Sequence, residues 1–139
     1  MDRKVIRGER KGLTEKVILG GKQPEQWQIY SLPMDDLKKM QFTSAPCEGP
    51  CFYRTQMTVP NAADTYLDTR AVHKGEAWIN QHPLGRFWSI GPQSTLYVPG
   101  PWLRKGQNEI IYFDLMGTPT DALKSTTHPI FGASIAQRN

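Results

Sequence analysis

Long hydrophobic runs are missing from this chain of 139 residues. No apolar stretch exceeds a few residues, so neither a membrane-spanning helix nor a secretory hydrophobic segment is expected; an export signal, if one is used, lies outside the chain. No segment holds a 3.6-residue period long enough for a major helix. Cysteine is scarce: Cys47 and Cys51 are the two present. Structural zinc takes four ligands, and His73, His82 and His128 lie far off in sequence, so no metal is assigned to that loop. A local disulfide and a pair of free thiols both suit it, and the spacing leaves the choice open. No dense run of Asp and Asn supplies the oxygen ligands that calcium prefers, and no cofactor is expected. Neither a Gly-x-Ser-x-Gly elbow, a phosphate-binding loop nor a dinucleotide fingerprint occurs.

The net charge is +4. Residues 1–22 hold Arg3, Lys4, Arg7, Arg10, Lys11, Lys16 and Lys22 against Asp2, Glu9 and Glu15, which accounts for the whole excess. The remainder is neutral. A basic, glycine-containing leader reads as a linker or solvated edge with room for a first strand, and no RNA-binding aromatic signature accompanies it, so nucleic acid is not expected as a partner. The domain proper is placed at 23–139.

What the chain has in quantity is turns. Eleven prolines and twelve glycines separate short apolar runs at intervals of roughly 8–12 residues, the spacing of an all-β sandwich or jelly roll. The densest signal runs from Lys74 to Leu115. Gly75–Ile79 and Leu84–Trp88 read as a hairpin across Asn80-Gln81-His82-Pro83; Thr95–Val98 follows a Gly91-Pro92 break; and Glu109–Leu115 alternates, with Ile111, Phe113 and Leu115 opposite Ile110, Tyr112 and Asp114. Upstream, Cys51–Val59 alternates as a half-buried strand and Thr65–Thr69 follows it. Val17–Leu19 and Gln26–Leu32 are further strand candidates, Met34–Met40 offers one or two helical turns with Leu37 and Met40 facing inward, and His128–Phe131 with Ala133–Ala136 reads as a closing strand.

The stretch Trp78-Ile79-Asn80, Leu84-Gly85-Arg86-Phe87-Trp88, Ile90-Gly91-Pro92-Gln93, Thr95–Leu103 and Gly106–Ile111 resembles the C-terminal galactose-binding-like β-sandwich of glycoside hydrolase family 35 β-galactosidases. The likeness extends more weakly to Phe52-Tyr53-Arg54, Asp64–Asp68 and Trp27–Pro33. It implies a galactose-binding-like jelly roll, a parent reaction of terminal β-galactoside hydrolysis, and a periplasmic or extracellular setting. In that family hydrolysis is carried by two glutamates on a barrel of about 250 residues, which a chain of this size does not contain. Asn108-Glu109 mimics the family's acid/base pair, but it opens a strand after a turn, where Glu109 is a strand residue facing solvent. The chain is therefore expected to be non-catalytic.

Two roles follow from the resemblance. One is structural support for a catalytic barrel; the other is a carbohydrate-binding module for galactose-containing glycans, in which aromatics stack on sugar and polar side chains read its hydroxyls. The candidate ligand contacts are Arg86, Trp88, His82 and Trp102, with Arg86, Trp88 and His82 taken as a cluster at one end of the hairpin. Trp78, mid-strand, is assigned to the core facing the partner sheet. Arg86 lies between Leu84 and Trp88 on one face by period-2 counting: either that face is open, or the guanidinium is paired. The chain departs from the family's pattern at Ala71-Val72-His73, which lacks a family tryptophan, and this tilts the expectation toward support. It departs again at Gln81, where a family glycine is missing and a longer or altered turn through Pro83 is expected.

Overall fold

The structure, a computed structural model, describes residues 15–31, 33–117 and 123–132. Residues 1–34 and 35–139 form two separate compact units. In the first, Leu19 and Lys22 exchange backbone hydrogen bonds of 2.9 and 3.1 Å across Gly20-Gly21, whose φ values of 57° and 78° suit glycine. The described part of Gln26–Leu32 joins no ladder, although it alternates like a strand. Its Trp27, Ile29 and Tyr30 are exposed.

The second unit carries the sandwich. Among the described residues seven strands run as β1 (Cys51–Val59), β2 (Thr65–Asp68), β3 (Lys74–Ile79), β4 (His82–Trp88), β5 (Thr95–Val98), β6 (Gly106–Asp114) and β7 (Lys124–Thr126). All pairings are antiparallel, in a four-stranded sheet ordered β1-β6-β3-β4 and a three-stranded sheet ordered β5-β2-β7. The all-β sandwich expected from the turn spacing is the fold. The closing strand is not His128–Phe131 but the more polar Lys124–Thr126, which pairs with Tyr66–Asp68. Phe131 makes one isolated bridge to Gln93, and Ala133–Ala136 lies outside the described residues.

Alternation decides which side chains meet between the sheets. Met57 and Val59 of β1, Leu67 of β2, Ala77 and Ile79 of β3, Phe87 of β4, Leu96 and Val98 of β5, and Ile110 and Tyr112 of β6 form one buried cluster. At about 25 cal/mol per Å² of apolar surface, burying such side chains contributes about 1.5–3 kcal/mol each, which carries the fold. Asp114 also points inward and is fully buried, accepting hydrogen bonds from the backbone N–H groups of His73 (3.0 Å) and Met116 (2.9 Å). Burial, followed by the charge of Asp114, raises the pKa of nearby Tyr53 above the ordinary phenol range.

The opposite face of the four-stranded sheet is not simply solvated. Trp78 projects there, away from Ala77 and Ile79, yet is only 6% exposed, and its cross-strand neighbour Ile111 is 3% exposed. Phe52 and Phe113 lie 4.7 Å apart between ring centres, and Phe52 lies 6.3 Å from Trp78. Part of the stretch before β1 lies over this face, because Phe42 sits 4.8 Å beneath the Arg54 guanidinium. Leu37, in a 3-10 turn at Leu37–Lys39 capped by the Asp36 side chain, is buried too, outside the inter-sheet cluster. Trp78 is therefore buried, but on the outer face rather than against the partner sheet. A disulfide joins Cys47 to Cys51 and closes the loop leading into β1.

Candidate functional site

The β3–β4 hairpin positions the candidate residues. Ile79 pairs with His82, so the connection is the two-residue turn Asn80-Gln81, both at positive φ (46° and 73°). This is the tight geometry whose twist matches paired strands, and no longer turn through Pro83 is needed. Asn80 tolerates it because its side chain is fully used. Its Nδ2 donates to the Trp102 carbonyl (2.7 Å) and to Asn108 Oδ1 (2.8 Å), and its Oδ1 accepts from the Glu109 N–H (3.1 Å). Asn108 is buried and saturated: it also accepts from the Arg104 N–H (2.8 Å) and donates to the carbonyls of Arg104 (2.8 Å) and Gly106 (3.0 Å). The Asn108-Glu109 pair thus has a structural explanation. Asn108 ties the hairpin tip to the β5–β6 connection, and Glu109 is a half-buried strand residue of the outer face.

Asn80's hold on the Trp102 carbonyl brings that indole beside the start of β4. The His82 and Trp102 rings stack 4.7 Å apart and 12° from parallel. Trp102 is partly buried and leans on the core cluster, whereas His82 is exposed. Beyond this point β4 changes parity. Ala77 faces Gly85 but Trp78 faces Pro83, so Leu84 is the extra residue of a β-bulge, with Gly85 at φ 102°. Leu84 and Phe87 both turn inward as a result, and Arg86 and Trp88 turn outward. Period-2 counting across residues 84–88 fails because the bulge separates Leu84 from Arg86.

Arg86 and Trp88 stand at the far end of the hairpin. Trp88 is 48% exposed, and the Lys74 ammonium sits 3.9 Å above its ring centre, a cation–π contact. Arg86 is exposed opposite Glu76 in the ladder and forms no ion pair among the described residues, so its face is open rather than paired. These side chains border a cleft of about 750 Å³ that Phe113, Leu115 and Gly91-Pro92-Gln93 also line. A second cleft of about 440 Å³ lies between β4 and β5, lined by Pro83, Leu84, Tyr97, Trp102 and Phe131, with Gln93 again on its border. The four candidates do not form one cluster. His82, against which Trp102 stacks, pairs with Ile79 while Trp88 pairs with Lys74, so the two sit at opposite ends of the hairpin, about 17 Å apart at 3.3 Å per residue of β3.

Among the further lining residues, which the sequence does not mark as ligand contacts, are Gln93, Tyr97 and Phe131. Tyr97 alternates with core residues and reads as a strand position, and Phe131 was assigned to a closing strand. Tyr97's hydroxyl donates to Asp64 Oδ2 (2.7 Å), while Asp64 Oδ1 accepts from the Gly100 N–H (2.8 Å). The Gly100 bond first, then the Tyr97 bond, hold the Asp64 carboxyl below its usual pKa, and the same carboxylate raises that of Tyr97. Among the described residues no group of three or more His, Cys, Asp or Glu side chains could hold a metal ion.

Two antiparallel sheets packed face to face, with clefts along the edge strand β4, define an all-β sandwich domain. Residues 50–108 match the family model described as the galactose-binding domain of β-galactosidase, a stretch that runs from β1 into β6 and includes all four candidate residues. The chain is 39% identical over 132 residues to human β-galactosidase-1-like protein 3, covering 89% of this chain and 20% of that protein. It is 40% identical over 117 residues to the rat protein of that name, covering 78% of this chain and 18% of the relative. Against a β-galactosidase of Xanthomonas manihotis it is 42% identical over 90 residues, 64% of this chain and 15% of that enzyme. The chain thus spans about a fifth of the length of these relatives. Residues 50–108 of the sandwich thus carry the galactose-binding domain pattern of β-galactosidases, consistent with an accessory domain.

Proposed function

We propose that this domain contacts galactose-containing glycans on behalf of a β-galactosidase whose catalytic barrel hydrolyses terminal β-galactosides. The observation that carries the reading is Trp88, which the matched domain leaves half exposed beside Arg86 at the border of a cleft of about 750 Å³. An aromatic ring offers its face to the apolar face of a sugar, and Arg86, Glu76 and Gln93 offer donors and acceptors for hydroxyls. The volume lies within the range of small-ligand sites. Titration calorimetry with galactose should give a Kd between millimolar and micromolar, about −4 to −8 kcal/mol, and Trp88→Ala should abolish it in a folded protein. Absence of any heat with galactose-terminated glycans would refute the reading.

A second reading, architectural support for the barrel at the C-terminal end of the parent enzyme, is favoured by a separate observation. Trp27, Ile29 and Tyr30 are 61%, 93% and 81% exposed in an extended stretch without a ladder. Exposed apolar runs of this kind mark surfaces that another protein part covers. The domain combined with a purified barrel of the same enzyme should then form a stable complex that Trp27→Asp weakens. In either role the domain alone should release nothing from a chromogenic β-galactoside.

A further inference from the structure

We infer that the glycan site continues past Trp88 along β4 into the second cleft, so that the domain holds a neutral oligosaccharide chain rather than a single galactose. The inference rests on the carbohydrate-binding reading and extends it to a subsite at Tyr97, Trp102 and Phe131.

The placement of the clefts carries it. Arg86 and Trp88 border one and Pro83 and Leu84 the other, so consecutive stretches of a single edge strand line both, and Gln93 borders each. The bulge at Leu84 produces this division: it sends Arg86 and Trp88 to the outer face while Leu84 turns toward the sandwich. Exposed aromatics then stand at both ends, Trp88 at 48%, Tyr97 at 49% and Phe131 at 67%. A ligand that touched both clefts past Gln93 would be longer than a single sugar ring.

The chemistry of the second cleft selects its occupant. Among the described residues none of those lining it carries a formal charge, which disfavours phosphate, sulfate, uronate or a charged peptide. Its walls are aromatic and proline side chains with the neutral polar groups of Gln93, Tyr66 and Tyr97 among them, a pattern that matches the alternating apolar faces and hydroxyls of neutral sugars. Its volume of about 440 Å³ is that of a small-ligand site. The Asn80 bond to the Trp102 carbonyl and the His82 stack hold the indole in place before a ligand arrives, which limits the ordering cost of binding.

The test is calorimetric titration of the whole chain with β-1,4-linked galacto-oligosaccharides from mono- to hexasaccharide. Affinity should rise at least about tenfold, equivalent to 1.4 kcal/mol, once the chain spans both clefts. Phe131→Ala, at an exposed position, should erase that gain and leave monosaccharide affinity unchanged, whereas Trp88→Ala should weaken every length. Thermal melting confirms that both variants fold. Equal affinity for all lengths, or a Phe131→Ala variant that keeps the full gain, would overturn the second subsite while leaving galactose binding intact. Failure of every length, galactose included, would instead remove the carbohydrate reading itself. A charged probe such as oligogalacturonate binding more tightly than the neutral series would overturn the assignment of a neutral ligand.

Discussion

Trp78 and Trp88 project from the same face of the same sheet and have opposite fates. Trp78, on β3, is 6% exposed, flanked by Ile111 and near Phe52. Trp88, on the edge strand β4, is 48% exposed, with the Lys74 ammonium over its ring. Both are large aromatics at outward strand positions, so propensity and alternation treat them alike. The difference is what lies above them. The stretch before β1 places Phe42 against the Arg54 guanidinium, in the cross-strand row that contains Ile111 and Trp78, and among the described residues no such ring contact is made to the edge strand. An outer face covered over its interior strands and bare at its edge builds a second small core and a ligand surface side by side.

The sharpest test of that contrast is Trp78→Ala. Removing a buried indole should cost about 3–5 kcal/mol, read from the urea midpoint, and a domain of ordinary stability would be close to unfolding. A loss under about 1 kcal/mol would mean that Trp78 is solvated in solution and that the outer face has no second core. Asn80→Ala comes next. It removes two donated bonds and one accepted bond and leaves the buried Asn108 short of a partner, for a loss of about 1–3 kcal/mol. The same change should loosen the His82–Trp102 stack, visible as altered tryptophan fluorescence.

In the opposite direction, Gln81→Gly should stabilise the domain by about 1 kcal/mol, because Gln81 holds φ 73° in a turn whose second residue favours glycine. Acidification offers a smaller effect. The pKa of Asp68 is lowered chiefly by the Arg70 side-chain hydrogen bonds, and that of Asp64 by the Gly100 N–H. A carboxyl whose folded pKa lies below its unfolded value contributes stability above the unfolded value and loses it as pH falls through the folded one. Melting temperature should hold above the ordinary aspartate range near 4 and decline beneath it. The decline should be modest, since Arg70 is exposed and solvent screens the pair. Asp68→Asn should flatten it; an unchanged acid profile in that variant would assign the decline to other groups.

Much of this is legible in the sequence. Strands β1 to β6 match the stretches that alternation and turn residues mark, although β4 and β6 begin two and three residues earlier, at His82 and Gly106. Errors arose where a distant residue decides the outcome. Gln26–Leu32 has a strand's pattern and lacks a strand's partner, while Lys124–Thr126 is short and polar and becomes a strand because Tyr66–Asp68 accepts it. Alternation sets the face of Trp78, but its burial involves Phe52 and Ile111 on strands that pairing brings beside it, which no local pattern announces. The bulge had one local sign, a glycine inside a strand at Gly85, which commonly marks such an irregularity. Read that way, it would have released Leu84 from the face of Arg86 and separated the candidate residues into two clefts.

The smallest expected effect on stability is at Trp88. Trp88→Ala removes a half-exposed ring and its contact with Lys74, which at an exposed site is worth about 0.5–1 kcal/mol, so the melting curve should move by no more than that. Set beside Trp78→Ala, the pair forms a crossed result: one variant loses the fold before ligand binding can be measured, the other keeps the fold and loses galactose. Lys74→Met separates the two contributions at the exposed ring. It deletes the ammonium while keeping much of the side-chain bulk, and should leave galactose affinity within a few-fold if the indole face is the sugar platform. A Trp88→Ala loss approaching that of Trp78→Ala would show the edge to be covered after all, and the contrast between interior and edge of the outer face would fail with it.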